Sequence, residues 1–178
     1  MKTKTTSSFI VLICMALFGC QQSLYQAIHP SKPLQLKFYE QTADLKSNIL
    51  VISSPQVGQK VGDGMNVGEE IMGEILVERT PKEIVSNRFL EFTKNNPAKS
   101  SKIETCEILK FSSYYENRVY GWWVLSEVSM KVTLSDKSEF TVTSANDGYS
   151  ITPSIRKNLT KRLDEALNDC MSQIEQNL

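Results

Sequence analysis

Histidine is almost missing from this chain of 178 residues, where His29 is the only one. Catalysis of the Ser-His-Asp or Cys-His kind needs a base held within hydrogen-bond reach of its nucleophile. His29 precedes Pro30 in a segment without apolar periodicity, which cannot hold it there. Zinc sites need several Cys or His ligands on fixed elements, and the chain does not supply them. An excess of positive charge is missing too. Lys and Arg number 20 against 20 Asp and Glu, and no basic stripe stands out, which argues against nucleic acid as a partner. The glycine-rich stretch Q-V-G-Q-K-V-G-D-G-M-N-V-G at 56–68 contains no G-K-[ST] and no G-x-G-x-x-G opening a helix, so it does not read as a phosphate loop. It reads as a mobile or tightly turning connection in which glycine supplies positive φ. The apolar run from Phe9 to Phe18 is shorter than the roughly 20 residues a bilayer span requires.

What is present begins at the N-terminus. M-K-T-K supplies a basic start, the apolar run follows, and Gly19-Cys20 precedes the polar Gln21-Gln22. This is the pattern of a secretory signal peptide over 1–19. Leu17-Phe18-Gly19-Cys20 resembles the bacterial lipobox, whose cysteine is lipidated and becomes the first mature residue. The alternative is an ordinary signal peptide or short anchor with an incidental cysteine. The lipobox resemblance implies attachment through several acyl chains, palmitate among them, which hold firmly where one holds only marginally. Gln21 stands where an Asp would favour inner-membrane retention. By the same resemblance the expected location is the periplasmic leaflet of the outer membrane. Lys2 and Lys4 leave with the signal, so 20 basic residues become 18 against 20 acidic ones and the mature charge is near −2.

Cys14 is lost with the signal and Cys20 is consumed by lipid, which leaves Cys106 and Cys170 in an oxidising compartment. A disulfide between them would close a loop of about 65 residues and stabilise by roughly 4 kcal/mol if unstrained. Two separately buried cysteines are the alternative.

Residues 20–33 read as a lipidated tether and 34–178 as a single periplasmic domain. Leu34, Leu36 and Phe38 alternate as in a short edge strand. N-I-L-V-I-S-S at 48–54 reads as a central strand covered on both faces. Ile71, Ile75 and Val77 suit a strand with a bulge near Gly73, a helix over 69–78 being the competing reading. Thr80-Pro81-Lys82-Glu83 is a helix start with a capping box, and this helix should fade at Asn95-Asn96 before Pro97. Thr152-Pro153 opens a second helix, whose apolar face carries Ile155, Leu159, Leu163, Leu167, Cys170 and Ile174. Between them lie strands at 103–114, 119–134 and 139–143, the last two joined through Ser135-Asp136-Lys137. The expected fold is α+β: a mostly antiparallel sheet with two helices packed on one face.

A lipobox, an apolar strand with a glycine-containing stretch, Thr80-Pro81 at a helix head, and the meander S-S-Y-Y-E-N-R-V-Y-G-W-W-V-L-S-E-V-S-M-K-V-T-L-S-D-K-S-E-F before a long C-terminal helix follow one another. This order resembles the YajG-like small bacterial lipoproteins. More distantly it is similar to auxiliary lipoproteins of ABC-type transport systems. The resemblance implies no catalytic residues.

Trp122 and Trp123 are neighbours in a strand and must leave opposite faces of the sheet. Trp122 shares the parity of Val124, Val128 and Met130 and should be core. Trp123 should project from the helix-free face, with Tyr115 or Tyr120 near it, as a surface for a protein partner. Coverage of Trp123 by the N-terminal segment or a loop is the alternative. The functional expectation is a non-enzymatic, membrane-anchored accessory or scaffold lipoprotein that binds an envelope protein and needs no cofactor or metal. One rival is a transport auxiliary holding a lipid or small apolar ligand between sheet and helices. Another is an enzyme built on carboxylates such as Asp44, Asp63, Glu69, Glu70, Glu74, Asp136 or Asp147, which would need two of them at a defined separation in a cleft.

Overall fold

The computed structural model describes residues 33–38, 48–63, 66–67, 70–71, 74–118, 121–150 and 155–178. In chain order these form β1 (Leu34–Leu36), β2 (Leu50–Ser53), β3 (Lys60–Asp63), β4 (Asn66–Val67), β5 (Glu70–Ile71) and β6 (Glu74–Val77). There follow α1 (Pro81–Asn95), α2 (Pro97–Ser100), β7 (Ile103–Arg118), β8 (Gly121–Leu134), β9 (Glu139–Ser150) and α3 (Ile155–Gln176). Three sheets result, in the orders β2-β7-β8-β9, β1-β6-β3 and β4-β5.

This corrects the expectation of a mostly antiparallel sheet with two helices. The two larger sheets are mixed, and three helices are present among the described residues. β2 runs parallel to β7, Val51 opposite Cys106, and β1 runs parallel to β6, Leu34 opposite Ile75. Parallel partners must be joined by crossovers, and the alternation of apolar residues carries no sign of strand direction. The third helix was hidden by Pro97. Proline ends a helix only from the inside; at the first helical position its missing N–H costs nothing, and here it opens α2.

Two further readings change. β2 lies at the end of its sheet, so its apolar run does not mark a central strand; Leu50 and Ile52 are exposed while Val51 is buried. The glycine-rich stretch holds β3 and β4 within what was expected to be a loop. Gly62 has a steric reason in β3: a Cβ there would meet the Ser113 carbonyl oxygen at 1.8 Å. β3 can approach β7 only because that side chain is absent.

The β7–β8–β9 meander is continuous from Ile103 to Ser150 apart from residues 119–120, which are not described, and the Ser135–Ser138 turn. Lys137 takes φ 71° there, and Asp136 Oδ1 accepts from Ser138 N at 2.9 Å. In β8 the even positions Val124, Val128, Met130 and Val132 are buried. By register they share a face with Cys106 of β7, Val51 of β2 and Val142 of β9. α3 packs against β8 and β9, and α1 against β2 and β7. Both long helices therefore cover this one face.

The α1 start forms as its sequence dictates. Thr80 Oγ1 accepts from Glu83 N at 3.3 Å, and Glu83 Oε2 accepts from Thr80 N at 2.8 Å. The Thr80 backbone N–H and, at 3.0 Å, its hydroxyl both donate to the Glu83 carboxylate and hold that carboxyl below its ordinary value. Ile84, Val85, Phe89 and Phe92 turn inward, as do Leu159, Leu163, Ala166, Leu167, Cys170 and Ile174 from α3. An ion pair of Arg88 with Asp164 ties the two helices together on their polar side.

Candidate functional site

The outer face of the large sheet carries no described helix, and its character changes along its length. Toward the Ser135–Ser138 turn it is ionic. Lys110 bonds Glu127 at 2.6 Å, Lys131 bonds Glu139 at 3.3 Å, and Ser129 and Thr143 share a hydrogen bond of 2.8 Å. Toward the opposite end it becomes aromatic.

Register explains which aromatics arrive there. β7 has a bulge between Ile108 and Lys110. A bulge adds one residue and exchanges the faces of everything after it. Before the bulge Cys106 and Ile108 point inward; after it Phe111, Ser113 and Tyr115 do. Tyr114 is thereby sent outward, opposite Leu125 and diagonal to Trp123. Its ring meets that of Trp123 edge-on with centroids 6.2 Å apart. Tyr149 of β9 pairs directly with Trp123 on the same face. The Trp123 indole N–H donates to Asp147 Oδ2 at 3.1 Å, which fixes the ring against the sheet. Tyr114 and Tyr149 remain 39% and 48% exposed, large values for side chains of this size.

Tyr115, by contrast, is buried on the helix side, where it meets Trp122 edge-on at 5.7 Å. Burial pushes its phenol above the ordinary value. Tyr120, Cys20 and His29 lie outside the described residues. The structure thus groups Trp123 with Tyr114 and Tyr149. The sequence marks the Tyr114-Tyr115 and Tyr120 to Trp123 region, but Tyr115 or Tyr120 was the expected neighbour of Trp123. The bulge puts Tyr115 inside and Tyr114 in that place. Tyr149 was missed because β9 was expected to stop at residue 143.

Cys106 and Cys170 are both buried and both free thiols. Burial raises Cys106 to about 12, with the neighbouring Cys170 adding to the effect, and raises Cys170 to about 11. Cys170 Sγ donates to Val128 O at 3.4 Å. Thiols held this far from ionisation are poor nucleophiles. Among the carboxylates, Asp63 and Glu74 are ion-paired to Lys60 at 2.8 and 3.1 Å on an exposed surface. Asp136 serves its turn and Asp147 serves Trp123. Asp44 and Glu69 lie outside the described residues. Among the described residues no group of three His, Cys, Asp or Glu side chains could hold a metal ion, and no helix is long and apolar enough to cross a membrane.

No family model matches the sequence, and no curated protein matches it significantly. Among solved structures the fold is similar to that of an uncharacterized protein, with TM-score 0.47 and 8% identity over 81% of this chain and 99% of that one. It is also similar to a Xanthomonas campestris protein described as DUF330, with TM-score 0.45 and 10% identity over 81% of this chain and 94% of that one. At these values neither similarity identifies a family or an activity.

Proposed function

We propose that the chain is a membrane-anchored periplasmic accessory lipoprotein, held at the outer membrane through Cys20, that works by binding an envelope protein. The observation that carries this reading is the cluster of Tyr114, Trp123 and Tyr149 on the sheet face opposite the helices. Each ring brings a large apolar area with a polar handle, the composition of an interface anchor. Ion pairs continue from the cluster across the same face and would form its polar rim. The sequence Leu17-Phe18-Gly19-Cys20 supports the anchoring half of the proposal.

Two variants test the two halves separately. Cys20→Ala should release the protein from the membrane fraction or leave its precursor uncleaved; retention and processing like the wild type would end the lipoprotein reading. Trp123→Ala should lose a defined envelope protein from cross-linked complexes while its thermal unfolding stays nearly unchanged. Unchanged complexes would remove the docking role from this face.

A further inference from the structure

On the helix side of the sheet, a cleft of about 680 Å³ opens between α1, the first turns of α3 and the residues just after β1. That volume lies within the range of small-molecule sites. Its lining is strongly one-sided in charge. Lys37, Arg88, Arg156, Lys157 and Lys161 face a single carboxylate, Asp164. The chain as a whole balances 20 basic against 20 acidic residues, so this imbalance is local.

Pairing reduces the charge without cancelling it. Arg88 is held by Asp164 and by Glu91 at 3.4 Å; Lys161 pairs with Glu165 at 3.7 Å, and Lys37 with Glu78 at 4.0 Å. Arg156 and Lys157 have no ion-pair partner among the described residues. Both stand in the first turn of α3, which contains no acidic residue. Helix N-termini carry partial positive charge and favour acidic side chains, as Glu83 illustrates in α1. Two unpaired cations in that position oppose helix stability and reinforce the field in the cleft. One wall is apolar: Phe38 is partly buried and tilts against Phe111, ring centroids 6.4 Å apart.

We infer that this cleft binds a phosphate-class anion, with Arg156 and Lys157 as the principal ligands and Phe38 flanking an apolar portion of the bound molecule. Guanidinium and ammonium groups beside a helix start supply the donors such an anion needs. The anion is either a free organophosphate or the phosphate of a lipid headgroup. The site lies across the sheet from the aromatic cluster and does not depend on the docking role proposed there.

The test uses the full chain in a neutral detergent, titrated calorimetrically with glycerol 3-phosphate and with dihexanoyl phosphatidylglycerol below its micellar concentration. At least one probe should bind, and its affinity should fall about tenfold or more in the double variant Arg156→Glu with Lys157→Glu. Lys137→Glu, which removes a cation from the far end of the sheet, should leave binding unchanged. Tenfold preference for the lipid probe assigns the headgroup source, and equal affinity assigns the free phosphate. Thermal unfolding of the double variant should not fall, because the substitutions suit a helix start. Should the double variant fail to fold, Arg156→Gln and Lys157→Gln singly should each weaken binding several-fold. The inference is overturned if neither probe binds at millimolar concentration, or if Lys137→Glu weakens binding as much as the cleft variants do.

Discussion

Tyr114 stands edge-on to Trp123, 6.2 Å between ring centroids, on the face of the sheet that the helices leave open. Their sequence neighbours Tyr115 and Trp122 repeat the contact at 5.7 Å on the covered face. Two adjacent aromatic pairs thus divide between surface and core, and the β7 bulge decides which tyrosine goes where.

Tyr115→Ala should destabilise the domain by about 3–5 kcal/mol, as large-to-small changes of buried aromatics do. Tyr114→Ala should cost about 0.5 kcal/mol or less, the range of ordinary surface substitutions. Denaturant unfolding of the two variants checks the division. Equal costs would contradict the division of the two tyrosines between core and surface.

That bulge also marks where the sequence stops being legible. Alternation in β8 correctly separates Trp122 from Trp123, because no irregularity interrupts Gly121–Leu134. In β7 the same rule fails after Ile108, since Ile-Leu-Lys-Phe carries no glycine or proline to announce an extra residue. The capping box at Thr80 was legible because it is local, three residues from donor to acceptor. The parallel pairing of β2 with β7 was not, because it joins residues more than 50 apart whose apolar patterns suit either direction. The charge of the α3 cleft is not legible along the chain for a related reason: Lys37, Arg88 and Arg156 converge only in three dimensions.

Gly62→Ala should destabilise by about 1–3 kcal/mol or more, since the added carbon meets a backbone carbonyl that cannot swing away. Gly58→Ala, with nothing within 4 Å of its Cβ position, should be neutral or stabilising by about 0.4–1 kcal/mol. Thermal melts of the pair compare the two glycines directly.

Cys106 and Cys170 make stability sensitive to alkaline pH. Each folded-state pKa, about 12 and about 11, lies above an unfolded thiol's. The associated stability is therefore complete below about pH 8.5–9 and is lost as pH rises toward the folded values. The loss should approach about 1.4 kcal/mol per pH unit for each thiol within that window, and replacing both by Ala should flatten it. Alkylation at pH 8 should be slow in the native protein and find two thiols at these positions once it is denatured without reductant.

Thr80→Ala should cost about 1 kcal/mol by removing the acceptor for Glu83 N. Part of that cost should disappear at acidic pH. Glu83 has a lowered pKa, so its contribution is present above the ordinary carboxyl value and fades as pH falls through the depressed one. Urea titrations at neutral and acidic pH measure the difference.

The docking role of the outer face is tested most directly by a photo-cross-linking amino acid placed at Tyr149 or at Thr141 in intact cells. Both positions are exposed on β9 and face the same way, Tyr149 opposite Trp123 and Thr141 opposite Lys131. Position 149 should give one discrete adduct with an envelope protein, diminished by Trp123→Ala, and position 141 should give little or none. No adduct at 149, or equal adducts at both positions, would contradict the assignment of the aromatic end as the binding surface.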